Sequence, residues 1–156
     1  MTQFADRPNT IPWPPILFIG TIVVANLLSW LMPLSLPFSG KLASIVGVIL
    51  VTAGIALMGW AFLTFRRART TIMPHRRSGS LITGGPFVLS RNPIYLSEVL
   101  VLTGLALVNG STWYLVLTPM FAFAITRLAI VREEAHMRAR FGAAWEAYAA
   151  KVRRWL

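Results

Sequence analysis

Apolar positions along this chain fall into four long runs. Ile16 to Met32 is the first, closed by Pro33, and Leu42 to Phe65 is the second. Ile94 to Val108 and Trp113 to Val131 follow, separated by little more than the uncharged Asn109-Gly110-Ser111. Runs of this kind predict helices that cross a hydrocarbon core of about 30 Å, the third being short but extendable. The first run is too long for the apolar core of a signal peptide, and no small-x-small cleavage site follows it. The third and fourth spans form a hairpin with a tight turn.

The polar segments are unequal. Met1 to Pro15 is proline-rich and reads as an irregular arm, with Trp13 as an interfacial anchor. Pro33 to Gly40 is a short turn-rich loop. Arg66 to Asn92 is far longer than a plain connector requires, and Gly79, Gly84, Gly85 and Pro86 predict a structured loop there. From Arg132 the period changes. Met137, Phe141, Trp145, Tyr148, Val152 and Trp155 recur at spacings of three and four, which predicts an amphipathic helix over about 132–152. Such a helix lies in the membrane interface or packs on the cytosolic end of a bundle, with Gly142 as a point of interruption. The predicted fold is an all-α integral membrane protein: one domain over residues 1–156, four transmembrane helices, a structured cytosolic loop and a C-terminal amphipathic helix.

Composition agrees. The chain is 56% hydrophobic and 13% charged, with mean hydropathy +0.64. It has no cysteine, which excludes disulfides, thiolate catalysis and thiolate metal sites. Its two histidines, His75 and His136, lie far apart, so no metal site is expected. The net charge of +10 sharpens the picture because it is localised. Six arginines lie between Arg66 and Arg91, and seven more basic residues lie from Arg127 to the end. The loops on the opposite side carry only Lys41. By the positive-inside rule both termini and the 66–91 loop are cytosolic, in the inner membrane. Basic surfaces also suit nucleic acid. On a chain of spanning runs they report contact with anionic headgroups, so membrane lipids are the expected partners and nucleic acid is not.

Two polar clusters fall at the same end of the hairpin. The first is GPFVLSRNPIYLSE, Gly85 to Glu98; the second is the acidic pair Glu133-Glu134. Pro93 suits the first turn of a helix and Asn92 its N-cap, so Asn-Pro has a purely structural reading. The same helix start favours an anion, and Tyr95 and Phe87 supply aromatic faces for a base or a sulfonium. Glu133 shares the inward face of Met137 and Phe141 and needs a partner there, whereas Glu134 is expected to pair with Arg138 at i+4. Arg127 either snorkels to the interface or faces the bundle and binds an acidic group of the substrate. Glu98 is the one acid deep in a span, a candidate for function and for pairing with Arg127.

Taken together, LITGGPFVLSRNPIYLS, the short hairpin and REEAHMRARFGAAWEAYAAKVRRW resemble the isoprenylcysteine carboxyl methyltransferase family and, more distantly, the membrane phospholipid N-methyltransferases. The resemblance runs from about Leu81 to Trp155. The family pattern is Leu-Val-Thr-x-Gly-x-Tyr, Arg-His-Pro-x-Tyr, a helical hairpin, Glu-Glu and Phe-Gly-x-x-(Tyr/Trp)-x-x-Tyr. It implies S-adenosylmethionine as methyl donor and S-adenosylhomocysteine as product. By position the cofactor residues would be Ser80, Leu81, Ile82, Phe87, Asn92, Pro93, Ile94, Tyr95 and Glu133. Arg127, Glu98 and Tyr95 are the candidates for acceptor chemistry. Two departures stand out. Asn92 replaces the family's histidine and cannot act as a base near neutral pH. Ala129 replaces its substrate-binding arginine, a role that Arg127 can take from two residues earlier. The implied activity is methyl transfer to a lipophilic acceptor at the cytosolic face, of the isoprenylcysteine carboxyl type. Phospholipid N-methylation, a nicotinamide-dependent membrane reductase and a non-catalytic membrane subunit are the alternatives.

Overall fold

The computed structural model describes residues 13–38, 40–68 and 81–156. The N-terminal arm up to residue 12, and the basic stretch 69–80 with His75 and Ser80, lie outside the described residues. Among those residues the regular elements are helical, and the extended pairing is a single bridge between Ser35 and Ser111.

Helix α1 covers Trp13–Leu31 and α2 covers Lys41–Arg67. A 3-10 turn at Gly85–Val88 leads into α3, Pro93–Asn109. After the Gly110 turn, α4 (Thr112–Ile125) runs through a π-helical turn (Thr126–Ile130) into α5, Val131–Phe141; a short α6 follows at Ala143–Ala149. Three helices are long and apolar enough to cross a membrane: α1, α2 and the continuous helix Thr112–Phe141. Helix α3 has 17 residues, about 26 Å at 1.5 Å per residue.

The helices lie side by side in the order α2, α3, α4, α1. Helices α2 and α3 meet backbone to backbone. A Cβ built on Gly54 would sit 2.8 Å from the Ser97 carbonyl oxygen, and one on Gly104 would sit 2.6 Å from that of Gly47. Close approach through small residues maximises dispersion contact, the main attraction between helices where lipid removes the hydrophobic one. Helices α1 and α4 are joined by polar contacts instead. Asn26 Nδ2 donates to Tyr114 Oη at 2.9 Å, and the Ser29 and Ser111 hydroxyls lie 2.6 Å apart. The hairpin turn works as expected: Gly110 takes the left-handed conformation that ends α3 (φ 60°, ψ 28°), and its carbonyl accepts from the Leu36 N–H. The core gathers Leu102, Tyr114, Phe121, Ile125, Ala129 and Ile130. Val23, Ile49, Ile55 and Phe123 face outward, as suits lipid.

The single amphipathic helix expected over 132–152 is corrected. The loss of apolar character at Arg132 does not end the fourth apolar helix, because no glycine or proline interrupts the backbone there. The helix continues to Phe141 and breaks at Gly142, whose φ of 48° ordinary residues rarely adopt. Residues 150–156 form no helix.

Candidate functional site

The loop 81–92, the end of α2 and helices α5 and α6 enclose a cleft at one end of the bundle. Its empty volume is about 570 Å³, counting the open mouth. The wall is mostly apolar: Phe65, Leu81, Ile82, Phe87, Met137, Trp145 and Tyr148. Phe65 and Phe87 meet edge to face, with centroids 5.3 Å apart. Tyr148 Oη donates to the Phe87 carbonyl at 2.7 Å and pins the loop to α6. Burial pushes the Tyr148 phenol up to about 12, against a smaller lowering from Arg91, so it remains a donor.

Four polar residues complete the wall: Arg91, Asn92, Glu133 and Glu134. Tyr95, in the first turn of α3, donates its hydroxyl to Glu133 Oε1 at 2.7 Å. The two sequence clusters therefore meet through a charge-assisted hydrogen bond. A π-helical turn, Thr126–Ile130, lies just before Glu133 in the same helix, and such turns recur at functional sites.

Glu134 does not pair with Arg138. Arg154 reaches it through Nε at 3.0 Å and Nη2 at 2.6 Å, and Arg91 Nη1 lies 3.4 Å away. Arg138 takes Glu146 instead. Asn92 occupies the N-cap position of α3 but caps no helix N–H. Its Nδ2 donates to the Arg154 carbonyl at 3.0 Å.

Of the residues implied for the cofactor, Leu81, Ile82, Phe87, Asn92 and Glu133 line the cleft. Tyr95 reaches it through Glu133, and Pro93 is buried at the helix start beside them. Ile94 packs against the membrane core rather than the cleft, and Ser80 lies outside the described residues. Glu98 is 6% exposed, one turn beyond Tyr95 on the same face of α3, and its Oε2 has no hydrogen-bond partner. The expected Glu98–Arg127 pair is not formed. Arg127 is exposed and lies over the outward ring of Phe123, 5.8 Å from its centroid. Ala129, where the resemblance calls for arginine, is fully buried. Arg91, Arg154 and Arg138 form ion pairs with Glu134 or Glu146.

Sequence reasoning passed over Phe65, Arg91, Trp145 and Tyr148 as wall residues. Trp145 and Tyr148 had a signal, since both fall on the apolar stripe of the C-terminal segment. Two donors in this wall have no acceptor, Arg91 Nε and Trp145 Nε1. The Arg91 guanidinium also lies over the Trp145 ring at 5.7 Å. Both nitrogens are buried within the wall, and it is the charge of the Arg91 guanidinium that suits a ligand carrying its own carboxylate. The cleft thus offers donors for a carboxylate, an acceptor in Glu133 for hydroxyls or a cation, and aromatic walls for a heterocycle. That set fits S-adenosylmethionine, an amino-acid zwitterion joined to a nucleoside. A family model described as Phospholipid methyltransferase matches residues 42–144. No curated protein and no solved structure matches the chain significantly.

Proposed function

This chain belongs to the phospholipid methyltransferase family, and on that premise we propose that it methylates an amine-bearing lipid, with S-adenosylmethionine as donor, at the cytosolic face of the membrane. The observation that carries the reading is the Tyr95–Glu133 hydrogen bond in the wall of the cleft, where the polar loop meets the apolar helices. The donor, when bound, supplies an activated methyl group on a sulfonium. The protein's part is then binding, orientation and exclusion of water. Phe87, Leu81 and Ile82 would give apolar contact to the nucleoside, and the Arg91 guanidinium would hold the carboxylate.

An amine acceptor must lose a proton before it attacks, and general bases belong within hydrogen-bond reach of that proton. Glu133, oriented by Tyr95, and Glu98 on the same face of α3 are the carboxylates nearest the membrane side. The isoprenylcysteine-type reading asks instead for a cation to hold an acceptor carboxylate. Arg127 faces outward and Ala129 carries no charge. Two inward carboxylates, neither held in an ion pair among the described residues, favour an amine over an acid. In this reading α3 is the fourth span, both termini and the 66–91 loop are cytosolic, and the lipid reaches the site from the bilayer.

The test is a titration of the detergent-solubilised protein with S-adenosylhomocysteine and with NADPH. Methyl incorporation into vesicles containing an aminoethanol-headgroup lipid is then compared with incorporation into a prenylated cysteine. Binding of S-adenosylhomocysteine and labelling of the amine lipid are expected. NADPH binding alone would make the protein a reductase, binding of neither a non-catalytic subunit, and labelling of the prenylcysteine a carboxyl methyltransferase.

A further inference from the structure

Residues 152–155 form no helix, yet they are fastened on several sides. After α6 the chain turns back across the start of α3. The Arg91 N–H donates to the Arg153 carbonyl at 3.0 Å. The Ser90 hydroxyl and Asn92 Nδ2 both donate to the Arg154 carbonyl, at 3.1 and 3.0 Å. The Arg154 side chain reaches the other way and grips Glu134 on α5 with two nitrogens. Val152 packs with the aromatic residues of the cleft, and Trp155 packs with the core cluster that contains Tyr95.

These contacts converge on residues 90–92 and on Glu134, and Arg91, Asn92 and Glu134 are three of the four polar residues of the cleft wall. Nothing local requires them. An N-cap asparagine ordinarily accepts a helix N–H through its oxygen, yet Asn92 donates through its nitrogen to a residue 62 positions away. What this position has to supply is an N–H donor. A carboxylate cannot donate when ionised, whereas an imidazole can through a ring N–H.

We propose that residues Val152–Trp155 are a strap that positions the cleft, and that Asn92 serves by holding this strap rather than by contacting the methyl donor. This deepens the methyltransferase reading and rests on it for the identity of the ligand. Asn92 and Arg154 are thus positioning residues. The strap holds Arg91 beside Trp145 and keeps Glu134 engaged, which leaves Glu133 as the carboxylate available to ligand.

The experiment uses the full chain in detergent and three variants, Asn92→Asp, Asn92→His and Arg154→Ala. Two quantities are read: S-adenosylhomocysteine affinity by calorimetry and amide hydrogen exchange of the segment 85–92. Asn92→Asp should weaken binding by about tenfold or more and speed exchange in 85–92. Asn92→His should restore most of both, and Arg154→Ala should speed exchange as Asn92→Asp does. The strap is overturned if Asn92→Asp keeps wild-type exchange, or if Asn92→His loses affinity with exchange unchanged, since the side chain would then be acting on the ligand. Should Asn92→Asp fail to fold, Arg154→Ala decides by the same exchange. If the wild-type chain binds no S-adenosylhomocysteine, the methyltransferase reading fails. The strap is then judged on exchange alone, faster exchange in Arg154→Ala supporting it and unchanged exchange refuting it.

Discussion

Replacing Gly54 by alanine would test whether the contact between α2 and α3 sets the geometry of the cleft. The added Cβ meets the Ser97 carbonyl oxygen and Val101 Cγ2 at 2.8 Å, with the Val101 nitrogen at 3.2 Å. Ordinary contact begins near 3.4 Å, so the helices must part by about 0.6 Å. Two of the three atoms are backbone and cannot rotate away. Overpacking of this kind costs about 1–3 kcal/mol. Alanine in place of glycine in a helix returns about 1 kcal/mol, leaving a net loss of about 0–2 kcal/mol. Gly59→Ala is the control, because nothing lies within 4 Å of its Cβ and the helix gain stands alone. The helix gain cancels between the two variants, which should therefore differ by about 1–3 kcal/mol in unfolding by sodium dodecyl sulfate in mixed micelles. Ser97 lies two residues beyond Tyr95, so the shift also reaches the site. Adding about 0.6 Å to the 2.7 Å Tyr95–Glu133 bond takes it past the usual length of a charge-assisted one. S-adenosylhomocysteine affinity should fall by roughly tenfold. Gly54→Ala as stable as Gly59→Ala would show that α3 is not held by this contact.

The acidic pair should separate into two roles. Glu133→Gln is expected to weaken S-adenosylhomocysteine binding by about 1.5–3 kcal/mol with little change in melting. Glu134→Gln should lower stability by about 1–2 kcal/mol, since Arg154 is partly exposed and the pair is screened; equal losses of affinity would refute the division. Tyr148→Phe should cost about 1 kcal/mol through the bond to the Phe87 carbonyl. The raised phenol sets the sign of its pH dependence: the contribution is whole below the ordinary value of 10.0 and is lost as pH climbs through about 12. A stability difference between the two proteins that already shrinks between pH 7 and 9 would contradict it.

What could be read from the sequence follows from local rules. Apolar runs located α1, α2 and α3 to within a few residues and the start of α4, though not the continuation of that helix to Phe141, and Asn109-Gly110-Ser111 marked the turn that Gly110 makes. The Asn-Pro pair marked the start of α3, and the inward phase of Glu133 was readable from Met137 and Phe141. The failures came where a distant group outcompeted a near one. Glu134 had Arg138 one turn away, and an exposed pair of that spacing is worth about 0.3–0.5 kcal/mol. Arg154 offers a two-nitrogen grip on a carboxylate whose side chain is only 12% exposed, and charge-assisted bonds there are worth about 1.5–3 kcal/mol. The stronger interaction wins, but no local period can reveal it, because the partners lie 20 residues apart across Gly142.

Arg127 departs from expectation for a different reason. A regular helical phase does not hold through Thr126–Ile130, because the π-helical turn there changes the count of residues per turn. The buried positions Ile125, Ala129 and Ile130 leave Arg127 on the outer face beside Phe123, not opposite Glu98. Carboxylates therefore gather on the inner side, in Glu98 and Glu133, without the arginine that the sequence offered them. An acid-binding pocket needs the reverse arrangement. Under the proposed methylation of an amine lipid, the helix that brings Glu133 to Tyr95 thus also keeps this arginine away from the inward carboxylates, which suits an acceptor that brings its own positive charge.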